Sequence, residues 1–126
     1  MKAWNAHDVE AVLAHFHEDV RFASPIAAAM LPGSSGVISG KAALREYWTV
    51  ALNRVPDLRF TIENVFQGVG IVVIEYRNQK DVLVSEVLIF DGEKVTAGYG
   101  TYPPSVENPA GAQVDSRPDR PIAQDN

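Results

Sequence analysis

Glu86 is the residue whose neighbours point most directly to chemistry. It lies in Val82-Leu83-Val84-Ser85-Glu86-Val87-Leu88-Ile89-Phe90, where an extended chain puts it on the same side as Val84, Leu88 and Phe90. A carboxyl group among apolar side chains is poorly solvated, so its pKa rises. That suits a general acid or a neutral hydrogen-bond donor. With the parity reversed, Glu86 lies instead on a solvated or dimer-facing sheet surface. Tyr47, Trp48, Tyr76 and Tyr102 could wall a pocket around it, because ligand pockets are mostly apolar with a few polar groups fixing orientation. Core packing accounts for the same aromatics nearly as well. In the last strand pattern Gly98, Gly100 and Tyr102 share a face, and the glycines either widen a cavity there or mark bulges where the sheet bends.

Histidine is the other obvious proton carrier. His15 and His17 fall at the end of a helical pattern, and two helical residues two apart diverge by about 200° and cannot hold one metal. No spacing of two His and a carboxylate assembles a metal triad, so no metal site is expected. The chain has no cysteine, which excludes disulfides, thiolate metal sites and cysteine nucleophiles and fits a reducing, cytoplasmic setting.

The elements that must carry these residues follow from periodicity. The 126 residues allow one core domain, and 46% hydrophobic with 21% charged residues is the balance of a soluble globular fold. Sixteen acidic against eleven basic residues give a net charge of −5, and the basic residues do not cluster, so a nucleic-acid partner is not expected. The longest nearly uncharged stretch, residues 22–40, is broken by Pro25 and Pro32, and no membrane span or signal peptide is read.

Val9, Val12, Leu13 and Phe16 make one helical stripe capped by Asp8, with the helix expected to end near Asp19 and a short strand at residues 20–22. Ser24-Pro25 reads as a stop, followed by an apolar loop over residues 24–39 that covers something. A second helix is predicted over residues 41–55, ended by Pro56. The period then changes to two, giving four strands of an antiparallel sheet at about 58–63, 71–76, 82–90 and 95–102, with turns at Gly68, residues 78–81 and Asp91-Gly92. Residues 103–126 hold five of the eight prolines and no aromatic residue and read as a flexible tail. The domain is thus placed at residues 1–102.

Ala3-Trp4-Asn5-Ala6-His7-Asp8, Glu18-Asp19-Val20-Arg21-Phe22-Ala23-Ser24-Pro25, Gly40-Lys41 and Phe90-Asp91-Gly92-Glu93-Lys94-Val95 together resemble the SnoaL-like branch of the nuclear transport factor 2-like superfamily. The resemblance implies an α+β fold, a cone-shaped, curved antiparallel sheet wrapped around helices in a cystatin-like roll, with its first helix truncated in this chain. It implies a pocket for a small hydrophobic or polycyclic molecule, pairing of protomers into a homodimer through the outer sheet face, and cofactor-free acid/base chemistry of isomerase, cyclase or lyase type. A non-catalytic binding or dimerisation module of the same fold is the competing reading.

On this resemblance the face with Gly98, Gly100 and Tyr102 turns inward, and Glu86 matches the carboxylic acid that helps form an oxyanion hole in ketosteroid isomerases, a case of an acid kept neutral by its apolar site. Ser24 stands where those isomerases carry a proton-moving aspartate, and a serine without an adjacent base is a poor proton shuttle. The helix tyrosine of the isomerases has no counterpart, and the one Arg-x-Asp, Arg117-Pro118-Asp119, lies in the tail. Steroid isomerisation and epoxide hydrolysis are therefore disfavoured. The expected site is Glu86 as acid/base or oxyanion donor, with Ser24, Trp48, Tyr76, Gly98, Gly100 and Tyr102 against the ligand.

Overall fold

A computed structural model describes residues 2–104. Its elements run α1 (Lys2–Asn5), α2 (Val9–Leu13), β1 (Phe16–Ala23), α3 (Pro25–Met30), β2 (Val37–Ser39), α4 (Lys41–Arg54), β3 (Thr61–Gly68), β4 (Ile71–Arg77), β5 (Leu83–Asp91) and β6 (Lys94–Thr101). The strands form one six-stranded sheet in the order β2-β1-β6-β5-β4-β3. Every pair is antiparallel except β1 with β6. The expected all-antiparallel sheet is corrected at that one junction, where the chain passes through α3, α4 and four strands before β6 lies beside β1.

The core is aromatic and centred on α4. Leu44, Tyr47 and Trp48 are buried on one side of that helix, and Trp48 receives the edges of Trp4, Phe16 and Phe22 at ring-centroid distances of 4.8, 5.4 and 5.7 Å. Such edge-to-face contacts stabilise by about 0.5–1.5 kcal/mol each beyond area burial. At the N-terminus, Asn5 accepts a hydrogen bond from the Phe60 amide at 2.7 Å and donates to the Phe60 carbonyl at 2.9 Å, which ties the four-residue α1 to the approach to β3. Among the described residues no helix is long and apolar enough to cross a membrane.

Three expectations are corrected in the N-terminal half. The first long helix stops at Leu13 and β1 already begins at Phe16. Phe16, Val20 and Phe22 share a strand parity and are all buried, so strand pairing competes with the helical stripe and wins. His15 therefore lies in a turn and His17 on a strand, both exposed, and the helical-divergence argument does not describe them. Ser24-Pro25 starts a helix rather than stopping structure. The Ser24 Oγ accepts the Ile26 amide at 3.1 Å as N-cap of α3, with Pro25 at the first helical position, where its missing N–H costs nothing. The expected loop over residues 24–39 thus contains α3 and β2.

Strands β4, β5 and β6 fall within a residue or so of their expected bounds, whereas β3 starts three residues later than the alternation suggested and runs to Gly68. The tail expected over residues 103–126, and the Arg117-Pro118-Asp119 triplet within it, fall outside the described residues from 105 onward.

Candidate functional site

Register decides which side chains meet at Glu86. On β5 it faces Ile74 of β4 and Gly100 of β6, so all three share the face that looks toward the helices. Tyr76 is two residues beyond Ile74 and opposite Val84, the diagonal position from which a long side chain can reach across. The Tyr76 phenol donates to Glu86 Oε1 at 2.9 Å, and its ring is braced by Phe60 at a centroid distance of 4.4 Å. At Gly100, a Cβ would lie 3.5 Å from the Ser24 Oγ and 3.8 Å from the Tyr102 ring. Glu86, Tyr76, Gly100, Ser24 and Tyr102 are thus brought together from four parts of the chain.

Burial sets the electrostatics. Glu86 keeps some accessible surface, yet its carboxyl is surrounded by enough protein for desolvation to push its pKa up, against an opposing pull from the Tyr76 hydrogen bond. Burial also raises Tyr76 well above an ordinary phenol, and a charge on Glu86 would raise it further. Tyr102 is raised by burial, with Tyr47 and Glu86 adding to the effect. Tyr47 is pushed up to about 12 by burial, with the Ser24 hydroxyl pulling the other way. The phenols of Tyr76, Tyr102 and Tyr47 therefore remain neutral donors at ordinary pH. Tyr76 orients Oε1, and a proton held by Glu86 is left on Oε2 to be donated or transferred.

Two residues named from the sequence do other work in the fold. Trp48 is 4% exposed and is enclosed by Trp4, Phe16 and Phe22. The space above Gly98 is filled by the Phe22 ring, which a Cβ there would approach to 2.9 Å. This glycine admits a core aromatic rather than opening a hollow. Ser24 contributes its acceptor lone pair to the α3 cap. Among the described residues no three His, Asp or Glu side chains gather where they could hold a metal ion.

A six-stranded sheet folded over helices in this order is the fold of nuclear transport factor 2-like proteins. The SnoaL-like domain family matches residues 1–104, and the chain belongs to that family. A SnoaL-like protein of unknown function from Burkholderia thailandensis is 35% identical, with 81% of this chain and 86% of that one covered at a TM-score of 0.77. TerC, crystallised with polyporic acid, shares the fold at 15% identity, covering 81% and 84% of the two chains, with a TM-score of 0.68. A protein with a ketosteroid isomerase-like fold from Catenulispora acidiphila, in complex with trimethylamine, does so at 17% identity, covering 79% and 78%, with a TM-score of 0.61. None of the curated proteins is a significant match.

Proposed function

We propose that this SnoaL-like domain binds a small hydrophobic molecule against Glu86 and uses the carboxyl group for cofactor-free acid/base chemistry of isomerase, cyclase or lyase type. The observation that carries the reading is the Tyr76 to Glu86 hydrogen bond at 2.9 Å on the inner sheet face. A carboxylic acid whose Oε1 is already engaged presents a defined donor to a ligand carbonyl or hydroxyl oxygen. When the proton leaves Oε2 for that oxygen, the Tyr76 phenol stabilises the carboxylate that remains. Ser24, Gly100 and Tyr102 line the approach. That a protein of this fold was crystallised with polyporic acid and another with trimethylamine supports a small organic ligand. The cysteine-free composition fits a reducing compartment such as the cytoplasm.

The test is titration of the 15N-labelled full chain with 2-hydroxy-1,4-naphthoquinone, a flat apolar probe carrying carbonyl oxygens. Amide shifts are expected at Glu86, Gly100 and Tyr102, and Glu86→Leu is expected to weaken binding about tenfold, the worth of one hydrogen bond. Unchanged affinity in that variant, or shifts confined to other parts of the chain, overturns the assignment.

The second reading, a dimerising module, rests on the outer sheet face. On the outer sheet face Phe66, Val73, Val87 and Tyr99 lie side by side across β3, β4, β5 and β6, and Phe66 and Tyr99 are 56% and 46% exposed. An apolar row of that kind is the composition of an interface core. A homodimer through this face is compatible with either reading. Inner-face chemistry and outer-face pairing separate in Tyr99→Lys, which should shift sedimentation toward the monomer and leave probe binding intact.

A further inference from the structure

A cleft of about 390 Å3 lies between α3, β2 and α4, and Glu86 is not among its lining residues. Its size is within the range of small-ligand sites, roughly 300–1,000 Å3. Met30 and Leu31 form one lip, Val37 and Ile38 the floor, and Ala43 and Val50 the other lip. Leu31 and Val50 are 40% and 39% exposed, so apolar surface is left in water in a concave setting. This is the stretch whose apolar character already suggested, from sequence, that it covers something.

The polar groups on the cleft are unevenly distributed. Arg54 stands at the C-terminal end of α4 and Glu46 two turns earlier, about 12 Å along the helix axis at 1.5 Å per residue, and both line the cleft. Lys41, Arg45 and Arg77 each have a carboxylate partner, whereas among the described residues neither Arg54 nor Glu46 is in an ion pair. Ser39 and Tyr47 also border the space, each with a hydroxyl that can donate or accept. A guanidinium presents a planar fork that matches a carboxylate, and Glu46 repels an anion from the other end, fixing the direction in which a ligand lies.

We propose that the α3–β2–α4 cleft is a binding site for a small amphiphile with an apolar body and a terminal carboxylate, seated with the carboxylate at Arg54 and the body along Met30, Leu31 and Val50. The site does not require Glu86 to be chemically active. Tyr47, which lines the cleft, also interacts with the Ser24 hydroxyl of the inner cluster.

Octanoate and octan-1-ol, the same chain with and without the charge, are the probes, titrated against the 15N-labelled full chain. Octanoate is expected to shift Met30, Leu31, Val37 and Val50 and to bind about three- to fivefold more tightly than octan-1-ol, as an exposed ion pair allows. Arg54→Gln should abolish that preference while retaining binding of the alcohol. Val50→Asp should weaken octanoate and leave the naphthoquinone titration at Glu86 unchanged, which separates this site from the inner one. Equal affinity for the two probes, an unaltered preference in Arg54→Gln, shifts centred on Glu86 and Gly100, or no shift at millimolar octanoate would each overturn the proposal. Arg54 and Val50 are exposed, so neither change removes a core contact.

Discussion

At the β1 end of the sheet Phe16, Val20, Phe22 and Val95 are sealed beneath Trp48, whereas at the opposite end all eight residues of β3 are exposed, Ile62, Val65 and Phe66 among them. The same sheet therefore serves as core on one flank and as open surface on the other. Glu86 is on β5, between the two, with its carboxyl desolvated. Stability resides on the closed flank, and that leaves the open flank able to carry recognition without loss of the fold.

Mutations on the two flanks should differ most in size. Trp48→Ala, which empties the centre of the aromatic cluster, is expected to cost about 3–5 kcal/mol of unfolding free energy. Phe66→Ala on the open flank should change monomer stability by no more than about 0.5 kcal/mol. Denaturant titrations of the two variants under monomeric conditions measure the contrast, and similar losses would break it.

Gly98→Ala probes the seam between the flanks. The new Cβ meets the Phe22 ring at 2.9 Å, and overpacking of this kind costs about 1–3 kcal/mol. Combining it with Phe22→Leu should give less than the sum of the two single losses, because the leucine vacates the space the Cβ needs. Strict additivity would show that the ring does not confine this glycine.

The smallest effect is the most informative about Glu86. Burial raises its pKa in the folded chain, so the native state holds a proton over a range where the unfolded chain has released it. Its contribution is then complete below the unfolded value, about 4.3, and is lost as pH rises through the folded value. Glu86→Gln cannot ionise, and its melting temperature relative to the natural chain should climb as pH rises above the unfolded value. A difference that does not change with pH would mean that the carboxyl is solvated.

Which parts were legible in the chain follows the same division. Strands β4 to β6 announce themselves because Ile71 to Tyr76 and Val82 to Phe90 are rich in β-branched and aromatic residues between turn signals at residues 78–81 and Asp91-Gly92, and the two-residue period of a strand put Glu86 on the side of Val84 and Leu88. The α4 helix was readable from Leu44, Tyr47 and Trp48. The region before it was not. Val9, Val12, Leu13 and Phe16 fit helical spacing, while Phe16, Val20 and Phe22 fit a strand, and only the partner strand β6, some 80 residues later, decides between them. Ser24-Pro25 is a stop when the preceding residue is considered and a cap when the following ones are, and six residues of Pro-Ile-Ala-Ala-Ala-Met favour the cap. The cleft containing Arg54 was legible only as an apolar stretch over residues 24–39, because Met30, Val37 and Val50 come together only once α3 and β2 have folded against α4.

The parallel junction of β1 with β6, with Phe22 beside Gly98 and Ala23 beside Tyr99, has a consequence for biosynthesis. These are neighbouring strands in the interior of the sheet, yet one emerges from the ribosome early and the other when nearly the whole described chain has been made. The nascent polypeptide must hold the aromatic face of β1 without its final neighbour for most of translation. Such distant pairing slows folding, so this interval is when the protein depends most on shielding from other unfinished chains.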